Sequence, residues 1–332
     1  MRKSFALVCV LMLLACVVLV GCTPKEAEKN EKLKVALILS GPANDQGWNA
    51  IALEGLVAAE AEFGVETAYQ ENVDLADGEA AFRDYAAAGY NLVIGHGFQY
   101  GEQAKAVSGD FANTYFMATE ADSQADNMAS YVMSCEQGAY LMGMLCAGMS
   151  ESGIIGVVGG FEQPSITKEL EAFKLGAKEI KADIKVLEIY ISSYVDAALG
   201  KEAGESMILQ GADVLYHVAN QAGTGTITAA QDHGLLACGN SYDQSSIAPE
   251  TVMCSTVYSM PNVIKTAVKA VLDGNYKGGV YNLGMAEDVV SIAGYGTFED
   301  KIPQELKDAI AAKQAAIIDG SFEVPAITTP TK

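Results

Sequence analysis

The sequence predicts a two-lobed α/β protein with parallel sheets flanked by helices. Short apolar, β-branched runs alternate with longer helical stretches. Such alternation of strands with helices implies parallel sheets built from βαβ units. The alternation runs through once and then begins again, so two such lobes follow one another.

In the first series a strand at 33–39 (Leu-Lys-Val-Ala-Leu-Ile-Leu) leads to a helix at 49–63. Strands at 65–69, 91–95, 115–118 and 128–133 follow, with helices at 78–88 and 100–111 between them. The second series has helices at 136–149, 166–180, 201–210 and 225–233, and strands at 154–158, 184–191, 214–218, 235–239 and 252–257. A helix at 263–273 returns to the first lobe, and one at 306–318 closes the chain. Lobe 1 is therefore expected over 33–134 and 259–292, and lobe 2 over 135–258 and 293–332. Ligands of open parallel sheets sit beyond the carboxyl ends of the strands. With two lobes the natural site is the cleft between them, lined by loops 41–48, 95–100, 192–196, 219–225 and 240–245.

The N-terminus sets the compartment. Arg2 and Lys3 precede an apolar run over 6–20 that ends in Leu19-Val20-Gly21-Cys22. That order is a secretory signal peptide, and the run is shorter than the ~20 residues of a membrane span. The Leu-Val-Gly-Cys ending looks like a bacterial lipobox, with residues 1–21 removed and Cys22 lipidated. Residues 22–32 are polar and charged and read as a flexible tether. The expected location is the outer or periplasmic face of the cell membrane, held by lipid.

The net charge of −21 argues against nucleic acid or anionic lipid as a partner. Cys135, Cys146, Cys238 and Cys254 lack zinc-site spacing and lie among apolar or small residues, where thiols pack as small hydrophobes. No GxSxG, HExxH, P-loop or EF-hand pattern occurs, so neither a cofactor nor a metal is implied and an enzyme is not expected. Of the three histidines, His217 lies in an apolar strand, His233 ends a helix, and His96 sits on a cleft loop within Gly95-His96-Gly97. Trp48, the single tryptophan, and Tyr194 stand on loops of opposite lobes. Two such aromatics could sandwich a flat heterocycle, each contact giving roughly 1–3 kcal/mol.

Several segments, in order, resemble the basic membrane protein (PnrA-like) family of solute-binding lipoproteins. Asn44-Asp45-Gln46-Gly47-Trp48-Asn49 with Gly55 resembles the family's D-x-S-F-N…G segment, and Gly95-His96-Gly97-Phe98 its G-x-G-F loop. Cys135-Glu136-Gln137-Gly138-Ala139-Tyr140-Leu141-Met142-Gly143 corresponds to its E-E-E-x-x-Y-L-x-G segment. Gly153-Ile154-Ile155-Gly156-Val157-Val158-Gly159-Gly160 resembles its glycine-rich strand, and Asp243-Gln244 with Ala248-Pro249 its D-Q…A-P. The resemblance implies a type I periplasmic-binding fold that closes on its ligand by hinge bending. It also implies a purine-type ligand and delivery to an ABC permease–ATPase complex, by a receptor expected to be a monomer.

On that basis Trp48 and Tyr194 fall at base-stacking positions, and Glu136 at one acidic position of the E-E-E run. With the loop residues, the candidate ligand contacts are Asp45, Trp48, His96, Phe98, Glu136, Tyr194, Asn220, Ser241 and Tyr258. The chain departs from the family in three places. Ser241 stands where a carboxylate is expected, Tyr258 where a lysine is, and Leu39-Ser40 where an aspartate often ends the first strand. A buried sugar without such partners leaves hydroxyls poorly paired, at about 1–3 kcal/mol each. The Gly-Trp loop and Asn127-Met128-Ala129-Ser130-Tyr131 resemble a subgroup that binds a free purine base, so a nucleobase is favoured over a nucleoside. A surface sensor for a similar flat heterocycle, a receptor for riboflavin or another solute, and a nucleoside hydrolase are the alternatives.

Overall fold

The computed structural model describes residues 32–44 and 48–331. The expected signal peptide, Cys22, most of the expected tether and Asp45 therefore lie outside the described residues. The twelve strands β1–β12 that are described form two six-stranded sheets.

In the first sheet β1 (Lys34–Leu39) is flanked by β2 (Glu66–Gln70) and β3 (Leu92–His96), and β4 (Tyr115–Thr119) and β5 (Met128–Met133) continue outward. β11 (Gly279–Leu283) completes the edge in parallel register with β5. Val35 to Leu39 are fully buried, as a central strand covered on both faces requires. Helices α1 (Trp48–Phe63), α2 (Gly78–Ala87) and α3 (Gly101–Ser108) supply the crossovers.

The second sheet repeats the order. β6 (Ile154–Gly159) lies between β7 (Lys185–Tyr190) and β8 (Val214–Val218), followed by β9 (Leu236–Gly239), β10 (Val252–Tyr258) and β12 (Val290–Ile292). Helices α4 (Glu136–Met149), α5 (Pro164–Ile180), α6 (Ala197–Leu209) and α7 (Gly223–Asp232) belong to this half. Helix α4 lies close against α5. Gly143 meets the carbonyl of Phe173, and Gly176 that of Tyr140, where a Cβ would collide with backbone. Helix α8 (Met260–Leu272) packs on α1 and so returns to the first lobe, while α9 (Gln304–Ile318) packs on α4.

The chain passes between lobes three times: after β5, after β10, and between β11 and β12. These crossings are tied to one another. Ser134 N donates to Leu283 O (2.8 Å), Ser259 N to Val289 O (2.8 Å), and Met285 N to Gln137 Oε1 (2.7 Å). The third crossing falls at 284–289, earlier than the boundary after 292 read from the sequence, because β12 pairs antiparallel with β10. With only three residues, β12 carries no periodic signal of its own.

Candidate functional site

Both sheets change winding direction beside their first strand, between β1 and β3 and again between β6 and β8. Loops leaving such a point splay apart and open a crevice at the carboxyl ends of the strands. Trp48 and His96 stand at this point in the first lobe, and Phe161, Tyr194 and Asn220 in the second.

Trp48 opens α1 and is 36% exposed. Its indole stacks on the His96 ring, with centroids 4.1 Å apart and planes inclined by 26°. His96 ends β3 and is fully buried. Its Nε2 is 2.9 Å from Trp48 O, which can only accept, so Nε2 carries the hydrogen. Its Nδ1 lies 3.0 Å from Thr119 Oγ1, and that oxygen accepts from Gly97 N (2.8 Å). With both nitrogens engaged, His96 is the platform under Trp48. Phe98, two residues on, is 74% exposed.

In the second lobe Tyr194 is half-buried and leans on Phe161, with ring centroids 5.0 Å apart at 54°. Gly160 leaves room for the Tyr194 ring, which a Cβ there would strike. Gln163 Nε2 donates to Tyr194 Oη at 2.6 Å. Burial, with Glu169 nearby, pushes the Tyr194 hydroxyl up to about 12. Asn220 is exposed and adopts a positive φ of 47°.

Between these aromatic stations lies a buried polar cluster, most of which the sequence did not single out. Lys168 and Glu169, on the first turns of α5, are 8% and 5% exposed. Lys168 Nζ donates to Met133 O across the lobes (2.8 Å) and lies 3.0 Å from Glu136 Oε2. Burial opposes the Lys168 charge, yet Glu136, Cys135 and Glu120 together raise its pKa. Glu120, in the loop after β4 with φ 54°, accepts from Met133 N (2.9 Å). Burial pushes its carboxyl up to about 6.

Glu169 Oε2 accepts from Tyr258 Oη (2.6 Å) and from Asn240 Nδ2 (3.3 Å). Burial lifts this carboxyl to about 7 against those bonds and Lys168. Asn240 Nδ2 also approaches Tyr216 Oη, Thr256 Oγ1 and Tyr258 Oη at 2.9–3.0 Å. Ser241 Oγ donates to Asn240 Oδ1 (2.7 Å), and the residue is partly exposed. Behind Asn240 stands a clamp: Gln244 Oε1 accepts from Asn240 N (2.9 Å) and from His217 Nε2 (2.8 Å). His217 is thus the hydrogen-bonded core histidine that its apolar strand indicated.

Of the candidate contacts, then, Trp48, Phe98 and Asn220 are exposed, and Tyr194, Ser241 and Tyr258 are partly open to solvent. Glu136, Ser241 and Tyr258 join the polar cluster, and His96 supports Trp48 from beneath. Phe161, Glu120, Lys168 and Glu169 were missed, and Asn240 was covered only as the first residue of the expected cleft loop 240–245. Phe161 could have been found as the aromatic two residues beyond β6. Lys168 and Glu169 carried no signal, because a charged pair on an amphipathic helix reads as its solvated face.

Two α/β lobes joined by three crossings, with an aromatic pair at the strand ends of each and a polar cluster beside the crossings, form the arrangement of a solute-binding protein. The chain belongs to the family described as ABC transporter substrate-binding protein PnrA-like, whose model matches residues 32–328. A purine-binding protein of Brucella abortus (strain 2308) is 31% identical over 310 residues, covering 92% of this chain and 86% of that relative. An ABC transporter nucleoside-binding protein, BmpA of Lactococcus lactis subsp. cremoris, is 28% identical over 98% of this chain and 99% of its own. Among solved structures, a transcriptional activator of the comK gene from Bacillus halodurans superposes with a TM-score of 0.78 at 23% identity, over 88% of this chain and 99% of that one. That likeness concerns the fold alone. Among the described residues no helix is long and apolar enough to cross a membrane.

Proposed function

We propose that this protein is the extracytoplasmic, lipid-anchored receptor of an ABC importer, binding a purine between its lobes and handing it to the permease without chemical change. The observation that carries this reading is the partly exposed Trp48 indole held flat on His96 at the mouth of the crevice. A planar surface fixed from beneath, with its outer face open, suits a flat aromatic ligand. The purine-binding and nucleoside-binding relatives support the same ligand class.

Within that class a nucleobase fits better than a nucleoside. Ser241 and Tyr258 replace charged groups suited to a ribose, and the charges α5 brings nearby are largely committed. Lys168 is engaged by Met133 O and Glu136, and one oxygen of Glu169 by Tyr258 and Asn240. A sugar placed there would have to break these bonds, whereas the edge of a base needs only one or two partners.

The test is a thermal-shift screen of the purified, ligand-free protein with adenine, guanine, hypoxanthine, their nucleosides and riboflavin. A ligand at a hundred times its dissociation constant adds ~2.7 kcal/mol of stability, readily seen as a raised melting temperature. Free bases should shift the melt and nucleosides should not. A shift with nucleosides alone overturns the preference for a base, and silence across the panel overturns the purine reading.

A further inference from the structure

The cleft floor holds more negative charge than it can neutralise. Glu120 comes from lobe 1, Glu136 opens α4 just past the first crossing, and Glu169 lies on α5 of lobe 2. One ammonium, Lys168, serves all three. It is bound to Glu136 and to the carbonyl of Met133, the last residue of lobe 1 before the crossing. The other titratable neighbours are neutral donors or thiols: Tyr258, Tyr216 and Tyr194 face Glu169, and Cys135 faces Lys168. Asn240 adds a neutral amide.

With every carboxyl ionised, the floor carries three negative charges against one positive charge, divided between the two lobes. Like charges in a desolvated site resist being brought together, and a proton on one of them relieves the repulsion. The floor lies beside the hydrogen-bonded crossings, so what opposes charge crowding there opposes closure of the cleft.

We propose that Glu120, Lys168 and Glu169 are positioning residues of a proton-linked clasp: protonation of the two carboxyls favours the closed, ligand-holding arrangement, and proton release to solvent favours the open one. Lys168 keeps the clasp anchored by holding Glu136 and Met133 together in both arrangements. The inference rests on the cleft being the ligand site; it does not depend on which ligand fills it. Burial supports it by pushing Glu120 up to about 6 and Glu169 to about 7.

The single tryptophan supplies the readout, because Trp48 borders the cleft. Acrylamide quenching of its fluorescence, in the full chain without added ligand, should increase as the pH is raised from 5 to 8, with a midpoint between 6 and 7. In E120Q/E169Q the quenching should stay low and flat. Should that double variant fail to fold, E120Q and E169Q singly should each reduce the change. A flat wild-type profile overturns the clasp, as does an unaltered profile in the variants. In a parallel arm, adenine affinity should be about ten-fold higher at pH 6 than at pH 8, one pKa unit of linkage. Adenine that binds with equal affinity at both also overturns the clasp. No binding of adenine at any pH counts against the purine reading and leaves the quenching profile to decide the clasp.

Discussion

His96 lies flat beneath Trp48, with 4.1 Å between ring centroids, while its Nε2–H reaches back to the Trp48 carbonyl. One residue thus fixes both the plane of the indole and the first backbone turn of α1. The two side chains should respond differently to truncation. Trp48→Ala removes a partly exposed ring, so adenine affinity should drop by roughly 1–3 kcal/mol, the loss of one stacking contact, with little change in melting temperature. His96→Ala empties a buried site and leaves Thr119 and the Trp48 carbonyl short of a partner. It should lower the melting temperature by several degrees as well as weaken binding. Calorimetric titration and thermal melts of both variants separate the roles. Equal loss of stability in the two would mean that Trp48 is a core residue.

Tyr258→Phe removes the hydroxyl that donates to Glu169 and accepts from Asn240, without changing the volume of the ring. That hydroxyl donates to Glu169 at 2.6 Å and favours the ionised carboxylate. Removing it should raise the Glu169 pKa above about 7 and destabilise the fold by about 1–3 kcal/mol. Carbon-13 NMR of the glutamate carboxyls against pH follows the first effect, and urea unfolding the second. An unmoved Glu169 titration would mean that Asn240 and Lys168 hold the carboxylate without the tyrosine.

The parts of the fold that were legible are those with strong local signals. β1, β6 and β8 are apolar runs buried on both faces, and α4 begins and ends where its pattern does. β11 escaped notice because it is an edge strand with alternate residues partly exposed and a glycine at its start. Helix α6 begins a turn earlier than expected, at Ala197, where Asp196 caps it by accepting from Ala198 N. At the site, Trp48 and Tyr194 were legible as aromatics on loops beyond strand ends. The polar floor was not, because Lys168 and Glu169 become buried only through the approach of α5 to α4 and β10, a tertiary event that leaves no periodic trace.

That approach can be tested at its closest point. Gly143 and Gly176 sit where α4 and α5 touch backbone to backbone, and even a methyl group would overlap the carbonyls of Phe173 and Tyr140. Gly143→Ala and Gly176→Ala should each cost about 1–3 kcal/mol in chemical denaturation, despite the better helix propensity of alanine. Since the helices carry Glu136 and Lys168, forcing them apart should also weaken ligand binding. A neutral or stabilising result would show that the two helices can separate without penalty.

The buried ionisable groups dictate how stability varies with pH. Glu120 and Glu169 have folded-state values of about 6 and about 7 against 4.5 for an unperturbed carboxyl, so the native state holds their protons more tightly. Their contribution is complete below pH 4.5 and is lost as the pH rises through 6 and 7. His217 acts in the opposite sense. Burial lowers it from 6.5 to about 4, so its contribution is present above pH 6.5 and is lost as the pH falls toward 4. Two carboxyls against one imidazole leave a net decline in stability between pH 4.5 and 7. Urea unfolding of wild type at pH 5 and pH 7.5 should show that decline. Glu169→Gln should remove on the order of 2–3 kcal/mol of it, whereas His217→Gln should steepen it. A wild-type profile that rises steadily over this interval would mean that the cleft floor is hydrated enough to keep both carboxyls ionised, and the clasp inferred from them would fall with it.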